Sequence, residues 1–173
     1  MAIGSVKLRL VVASQAQIAR QNAESGLELD AVGWRILVEL QENARISFSE
    51  LGRRIGMTAP AVAERVRRLE EAGVIRGYRV ELDVERLGRP LVALVRLAAR
   101  VGVPAAEIKQ AMADLPEVLE CYHVTGEDCY FLKVAVPHVS ELEVLLEGLV
   151  RFGNTTTSIV ISTPVRRRTI SLA

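Results

Sequence analysis

The sequence predicts an α+β protein in two parts, a helical segment over residues 28–83 and a βαββαβ segment over residues 90–164. Three observations predict it. Residues 30–72 contain three runs of apolar residues at helical spacing, each with a cap or a stop signal. From Leu91 onward, β-rich runs alternate with helical ones. Between them "VERLGRP", residues 84–90, places Gly88 and Pro90 where no regular element continues, so residues 84–89 read as a hinge. An apolar fraction of 50% with 25% charged residues fits a globular chain with a packed core and argues against disorder.

Residues 1–27 read as an extension, partly helical through Leu8, Val11, Val12 and Ile18. "KLRLVVA" is too short for a signal-peptide core. Asp30 is placed to cap a first helix, with Trp34, Leu37 and Val38 on one side and Ile36 and Leu40 beside them. Ser47 and Glu50 have capping-box spacing ahead of a second helix, whose apolar stripe is Phe48, Leu51 and Ile55 and whose stop is Gly56. A third helix runs from about Thr58 to Ala72 and ends at Gly73. The connection "GMT" between the second and third helices is short and contains glycine, as in a helix-turn-helix. "VIRGYRVELD" follows with a strand-like pattern, which makes the predicted unit a winged helix-turn-helix.

In the second part "LVALVRLAAR" is a β-rich run. "PAAEIKQAMADL" opens with Pro104 and repeats apolar residues at Ile108, Ala111, Met112 and Leu115. "VLECYHVTG" and "CYFLKVAV" flank a turn at Gly126, Glu127 and Asp128, which predicts a hairpin. Ser140 and Glu143 form a second capping box ahead of Leu142, Leu145, Leu146 and Leu149, and "TTTSIVIS" supplies the last strand. This order is the ferredoxin-like split βαβ, with residues 165–173 left as a C-terminal tail.

Charge separates the two parts. Residues 52–79 contain seven arginines against three glutamates, whereas residues 101–164 contain three basic residues against nine acidic ones. The first could hold a polyanion that the second would repel. Two cysteines are too few for a secreted disulfide scaffold, so a reducing cytoplasm is expected, and no stretch approaches the length of a membrane span. Cys121, His123, Cys129 and His138 raise a zinc reading, but ordinary burial of the cysteines beside half-exposed histidines is preferred and no metal or cofactor is expected. Whether Cys129 shares the face of Cys121 and His123 depends on the hairpin register. A disulfide between Cys121 and Cys129 has only their common hairpin in its favour. There is no glycine-rich phosphate loop and no Ser-His-Asp set, so the protein is not read as an enzyme.

On the third helix, steps of about 100° per residue put Val62, Val66 and Leu69 on one narrow stripe, the side to be buried. Pro60, Ala61, Glu64, Arg67, Arg68 and Glu71 fall on the other side. Arg65 lies next to the apolar stripe and is expected to lean on the core or to pair locally. The outward face is short-chained at its start and basic further along, as suits an element whose N-terminal end approaches base edges while longer side chains reach phosphates. The blander reading is a solvated face on which Arg67 and Arg68 merely accompany Glu64 and Glu71.

The segments "LDAVGWRILVELQENARISFSELGRRIGMTAPAVAERVRRLEEAGVIRGYRVELD" and "VLECYHVTGEDCYFLKVAV", with the closing "TSIVIS", resemble the leucine-responsive regulatory protein and asparagine regulator (Lrp/AsnC) family across about residues 28–163. "RVRRLEEAGVI" and "ECYHVTG" are each characteristic and stand in the family's order. The resemblance implies a transcription regulator with an N-terminal helix-turn-helix and a C-terminal ferredoxin-like module. It also implies that this module dimerises, that it can assemble further to a tetramer or octamer, and that it senses an amino acid between dimers. It implies DNA contacts at Thr58, Ala59, Pro60, Ala61, Glu64, Arg67 and Arg68. For the effector it implies Gly126, Glu127, Asp128 and Cys129, with Thr155 and Thr157 or their neighbours Thr156 and Ser158. Many relatives carry an aspartate where this chain has Cys129, and a thiol holds an amino group poorly, so Asp128 or Glu127 would have to substitute. A dimer would set two third helices ~34 Å apart on a roughly palindromic site. Two alternatives share the architecture: a sirohaem-decarboxylase-like enzyme, which the intact basic third helix argues against, and an architectural DNA-binding protein that needs no effector.

Overall fold

The computed structural model describes residues 29–171, so the extension read over residues 1–27 lies outside it. The described residues divide into two compact units, 29–80 together with 167–171, and 81–166.

The first unit is built from helices α1 (Ala31–Glu42), α2 (Phe48–Ile55) and α3 (Ala59–Glu71). The Asp30 carboxylate accepts from the Gly33 N–H at 2.7 Å and so caps α1. The Ser47 hydroxyl accepts from the Glu50 N–H at 3.2 Å and caps α2. Only this half of the capping box carries the cap, since the Glu50 carboxylate turns to Arg53 and Arg54. Ile36, Leu40, Leu51, Ile55, Val62, Val66 and Leu69 form one core. At about 1.5–3 kcal/mol for each fully buried side chain, this small cluster is what holds three short helices together.

Two expectations about this core are corrected. The buried line of α1 is Gly33, Ile36 and Leu40, while Trp34, Leu37 and Val38 are half-buried on its flank. Phe48, expected in the α2 stripe, is 41% exposed. In both cases periodicity gives an apolar arc wider than the line that the neighbouring helices cover.

The strand expected in "VIRGYRVELD" does not form, and Val80 and Leu82 are 82% and 63% exposed. A strand needs a second strand to take its N–H and C=O groups, and among the described residues the unit that holds residues 74–80 contains none. The C-terminal segment comes back to the unit instead. The Gln41 amide donates to the Ile170 carbonyl at 2.9 Å and accepts from the Ile170 N–H at 2.9 Å.

The second unit begins with a turn over residues 84–88, in which the Asp83 carboxylate accepts from the backbone N–H groups of Glu85 and Arg86. Then follow β1 (Leu91–Ala99), α4 (Ala105–Asp114), β2 (Val118–His123), β3 (Tyr130–Val136), α5 (Val139–Val150) and β4 (Gly153–Ile159). The sheet order is β2-β3-β1-β4 with every pair antiparallel, the ferredoxin-like arrangement. Ala93, Val95, Leu97, Leu132 and Val134 point to one face, where Ile108 and Met112 of α4 and Leu142, Leu145 and Leu149 of α5 cover them. On the other face Leu94, Tyr122 and Phe131 are exposed among the described residues.

Helix α5 starts two residues earlier than the Ser140 capping box implies. His138 occupies the N-cap position without a side-chain cap bond, and Ser140 lies within the first turn. Pro137 precedes an extended His138, which turns the chain into the helix at Val139. The last strand spans Gly153–Ile159 rather than all of "TTTSIVIS". It begins at Gly153 because the backbones close tightly there: a Cβ on that residue would stand 2.0 Å from the Ala98 carbonyl oxygen.

Candidate nucleic-acid interface and effector site

Gly56 ends α2 in the left-handed region, at φ 77°, which a residue with a Cβ adopts only with strain. The Met57 N–H donates to the Gly52 carbonyl at 2.8 Å, and Thr58 is extended, so three residues separate the end of α2 from the start of α3. The Thr58 side chain makes no cap bond, and Pro60 in the first turn has no N–H to satisfy. The positive end of the α3 dipole therefore lies open beside an exposed Thr58.

Val62, Val66 and Leu69 are buried against α1 and α2. Pro60, Arg67, Arg68 and Glu71 are exposed, and Ala59, Ala61 and Glu64 are half-buried. Rotation of α3 about this stripe is set partly by Arg65, whose guanidinium meets both Asp30 carboxylate oxygens at 2.9 Å. The partner is not local but 35 residues away, and one carboxylate thereby caps α1 and ties down α3. The backbone bond from Gly33, and then Arg65, hold the Asp30 carboxyl below its ordinary range against the opposing effect of burial.

The arginines of the outward face are not free. Arg67 meets Glu64 at 2.7 Å and also pairs with Glu71, and Arg68 meets Glu64 at 2.9 Å. Hydrogen bonds from Arg67 and Arg68 lower the Glu64 carboxyl to about 2, so Glu64 is charged at any pH at which the protein would meet DNA. A matching pattern stands on α2, where Arg53 and Arg54 meet Glu50 at 2.7 and 2.9 Å and Arg54 reaches Glu39 at 2.7 Å. Spacing alone could have suggested these i,i+3 and i,i+4 clamps.

The expected effector residues fall into two groups. Gly126, at φ 123°, and Glu127 are exposed in the β2–β3 connection, Asp128 pairs with Arg96 at 3.1 Å, and the Cys129 thiol faces the Leu97 carbonyl at 3.9 Å. Thr155 and Thr157 pair with Leu97 and Val95, so their side chains share the helix-covered side of the sheet. Thr156 and Ser158 pair with Arg96 and Leu94 on the open side. The register thus brings Thr156 beside Arg96 and its partner Asp128, with Thr155 and Thr157 on the reverse. Arg96 was missed from the sequence, because only the fold carries it to the hairpin turn.

The same register decides the hairpin question. Cys121 and His123 oppose Leu132 and Tyr130 on one face, where His123 stacks on Tyr130 at a centroid distance of 4.6 Å. The Val124 N–H donates to the Cys129 carbonyl, which carries the hairpin pairing one step beyond His123 and Tyr130, and Cys129 packs against the core of the sheet unit. Both thiols are free, and burial pushes that of Cys121 up. Among the described residues no three His, Cys, Asp or Glu side chains come together to hold a metal ion. Nor is any described helix long and apolar enough to cross a membrane.

Comparison with known proteins agrees with this architecture. Residues 29–70 match the family model described as the AsnC-type helix-turn-helix domain, and residues 92–170 match the Lrp/AsnC ligand binding domain. The HTH-type transcriptional regulator LrpC of Bacillus subtilis is 32% identical over 136 residues, which cover 79% of this chain and 94% of that protein. The feast or famine regulatory protein of M. tuberculosis, solved with L-methionine, superimposes with a TM-score of 0.78 at 32% identity, covering 84% of this chain and all of that one. The transcriptional regulator NMB0573 of Neisseria meningitidis, solved as an L-Met complex, gives 0.76 at 29% identity over 84% of this chain and 97% of that one.

Proposed function

This chain belongs to the Lrp/AsnC family of transcription regulators, and from that premise we propose that it binds specific duplex DNA through the outward face of α3 and answers to an amino acid held by its C-terminal unit. The observation that carries the reading is that one side of α3 is committed to the core through Val62, Val66 and Leu69 while the other is left bare. Thr58, Ala59, Pro60 and Ala61 are short enough to let the helix end approach base edges, and Glu64, Arg67 and Arg68 lie further along where base edges and phosphates are in reach. The protein acts without catalysis, in the cytoplasm, where its DNA is.

The effector reading takes its support from the two relatives solved with methionine and from the polar end of the sheet. Gly126, Glu127, Asp128 and Cys129 would surround the ligand together with the hydroxyls of the last strand, at Thr155 and Thr157. Because Asp128 is already engaged by Arg96, Glu127 is the carboxylate left to meet an amino group, and Arg96 becomes the group to meet a carboxylate. Leu94, Tyr122 and Phe131 on the open sheet face would be covered by a second copy, giving a homodimer that associates further.

The test compares Arg68→Ala with Arg100→Ala, a surface arginine of the second unit, in operator binding. Arg68→Ala weakens binding and Arg100→Ala does not; equal losses would remove the reading of α3. A panel of amino acids in sizing and DNA-binding measurements decides the effector, and indifference to all of them would leave an effector-independent regulator.

A further inference from the structure

We propose that the C-terminal segment is part of the DNA-contacting surface, with Arg167 and Arg168 joining Arg76 and Arg79 as a second row of phosphate contacts beside α3. This rests on the DNA-binding reading above and adds to it a surface that lies outside the helix-turn-helix.

The argument starts from charge pairing. Arg53, Arg54, Arg65, Arg67 and Arg68 each have a carboxylate partner within the first unit. α3 with its own arginines paired therefore presents little net charge to a polyanion. Arg76, Arg79, Arg167 and Arg168 pair with no carboxylate among the described residues, and all four are exposed. They are distant in sequence yet border one depression of about 590 Å³ in the first unit. Four unpaired guanidinium groups around one hollow repel one another until an anion arrives, and a row of phosphodiesters supplies evenly spaced charges for planar, bidentate donors.

Two interactions place this row. The Tyr78 hydroxyl donates to the Glu70 carboxylate at 2.9 Å, which keeps residues 76–79 beside the last turn of α3. The paired bonds between the Gln41 amide and the Ile170 backbone, each 2.9 Å, dock the tail two residues beyond Arg168. Gln41 is thus a positioning residue for a basic segment that the helix-turn-helix does not contain.

The experiment measures binding of the full-length protein to duplexes of several sequences across a salt series. Each phosphate that the protein ceases to neutralise makes the slope of log K against log salt shallower by about 0.9, so Arg167→Ala with Arg168→Ala is expected to reduce it by about 1.8. The ranking of the duplexes should stay as it was, because phosphates carry no sequence information. Gln41→Ala, which frees the tail, should lower the slope in the same direction and shift the emission of Trp34, the single tryptophan, which lines the same depression. An unchanged slope in the double variant with DNA binding intact overturns the proposal, as does a reordering of the duplexes. If the unsubstituted protein ignores duplexes at low salt, the failure belongs to the DNA-binding reading itself.

Discussion

Glu64→Gln tests the charge arrangement on α3 most directly. Glu64 is the only carboxylate paired with Arg68 and one of two paired with Arg67 among the described residues. The amide keeps the size of the side chain but removes the charge, so Arg68 is released while Arg67 stays with Glu71. One guanidinium becomes available for a phosphate, which steepens the salt slope of non-specific binding by about 0.9. Over a fourfold rise in salt, from roughly 50 to 200 mM, that exponent is a factor of about 3.5. Fluorescence anisotropy with a random-sequence duplex should therefore show the variant binding more tightly than the parent at low salt, with an advantage that shrinks by about 3.5-fold across the range. Glu107→Gln, on α4 of the second unit, is the control. Because hydrogen bonds from Arg67 and Arg68 hold the Glu64 carboxyl at about 2, lowering the pH from 7 to 5 will not imitate the substitution. Equal or weaker binding at low salt with an unchanged slope would refute the reasoning, since it would mean that Glu64 does not restrain these arginines.

Three further outcomes are expected. Gly153→Ala forces a Cβ to within 2.0 Å of the Ala98 carbonyl oxygen, so the second unit should lose stability by the ~1–3 kcal/mol of an overpacked site or more, read as a lower midpoint in urea. Asp30→Ala removes the α1 cap and should cost about 1 kcal/mol, whereas Asp30→Asn keeps an N-cap and loses only a solvent-screened pair with Arg65, so thermal melts should rank it well above the alanine variant. In acid titration, Glu50 and Glu64 have folded-state values of about 2, lowered from 4.5, so their contribution to stability is present above about 4.5 and is lost as the pH falls toward 2. Circular dichroism along that titration should show the loss, and high salt should reduce its size because both groups are exposed.

The helices were legible because their signals are local: Asp30, Ser47 and Gly56 are caps and stops within a few residues of what they control, and Val62, Val66 and Leu69 repeat with the helical period. The sheet order followed from the alternation of patterns after Leu91. What escaped the sequence depends on a distant partner. Residues 76–80 look like a strand, but no strand in their unit completes them among the described residues. Arg65 looked local and found Asp30, and Arg96 reaches Asp128 only after β1 and β3 are laid side by side. On α3, residue types marked the bare face, while the neutralisation of Arg67 and Arg68 emerged only from the side-chain geometry.

The bond pair between Gln41 and Ile170 spans 129 positions, with the whole sheet unit encoded between them. A nascent chain can therefore assemble the three-helix bundle early, but it cannot close that flank until Ile170 has been translated. A fragment truncated after Val80 would accordingly leave the Trp34 side of α1 uncovered, and biophysical work on the bundle is better served by the intact polypeptide.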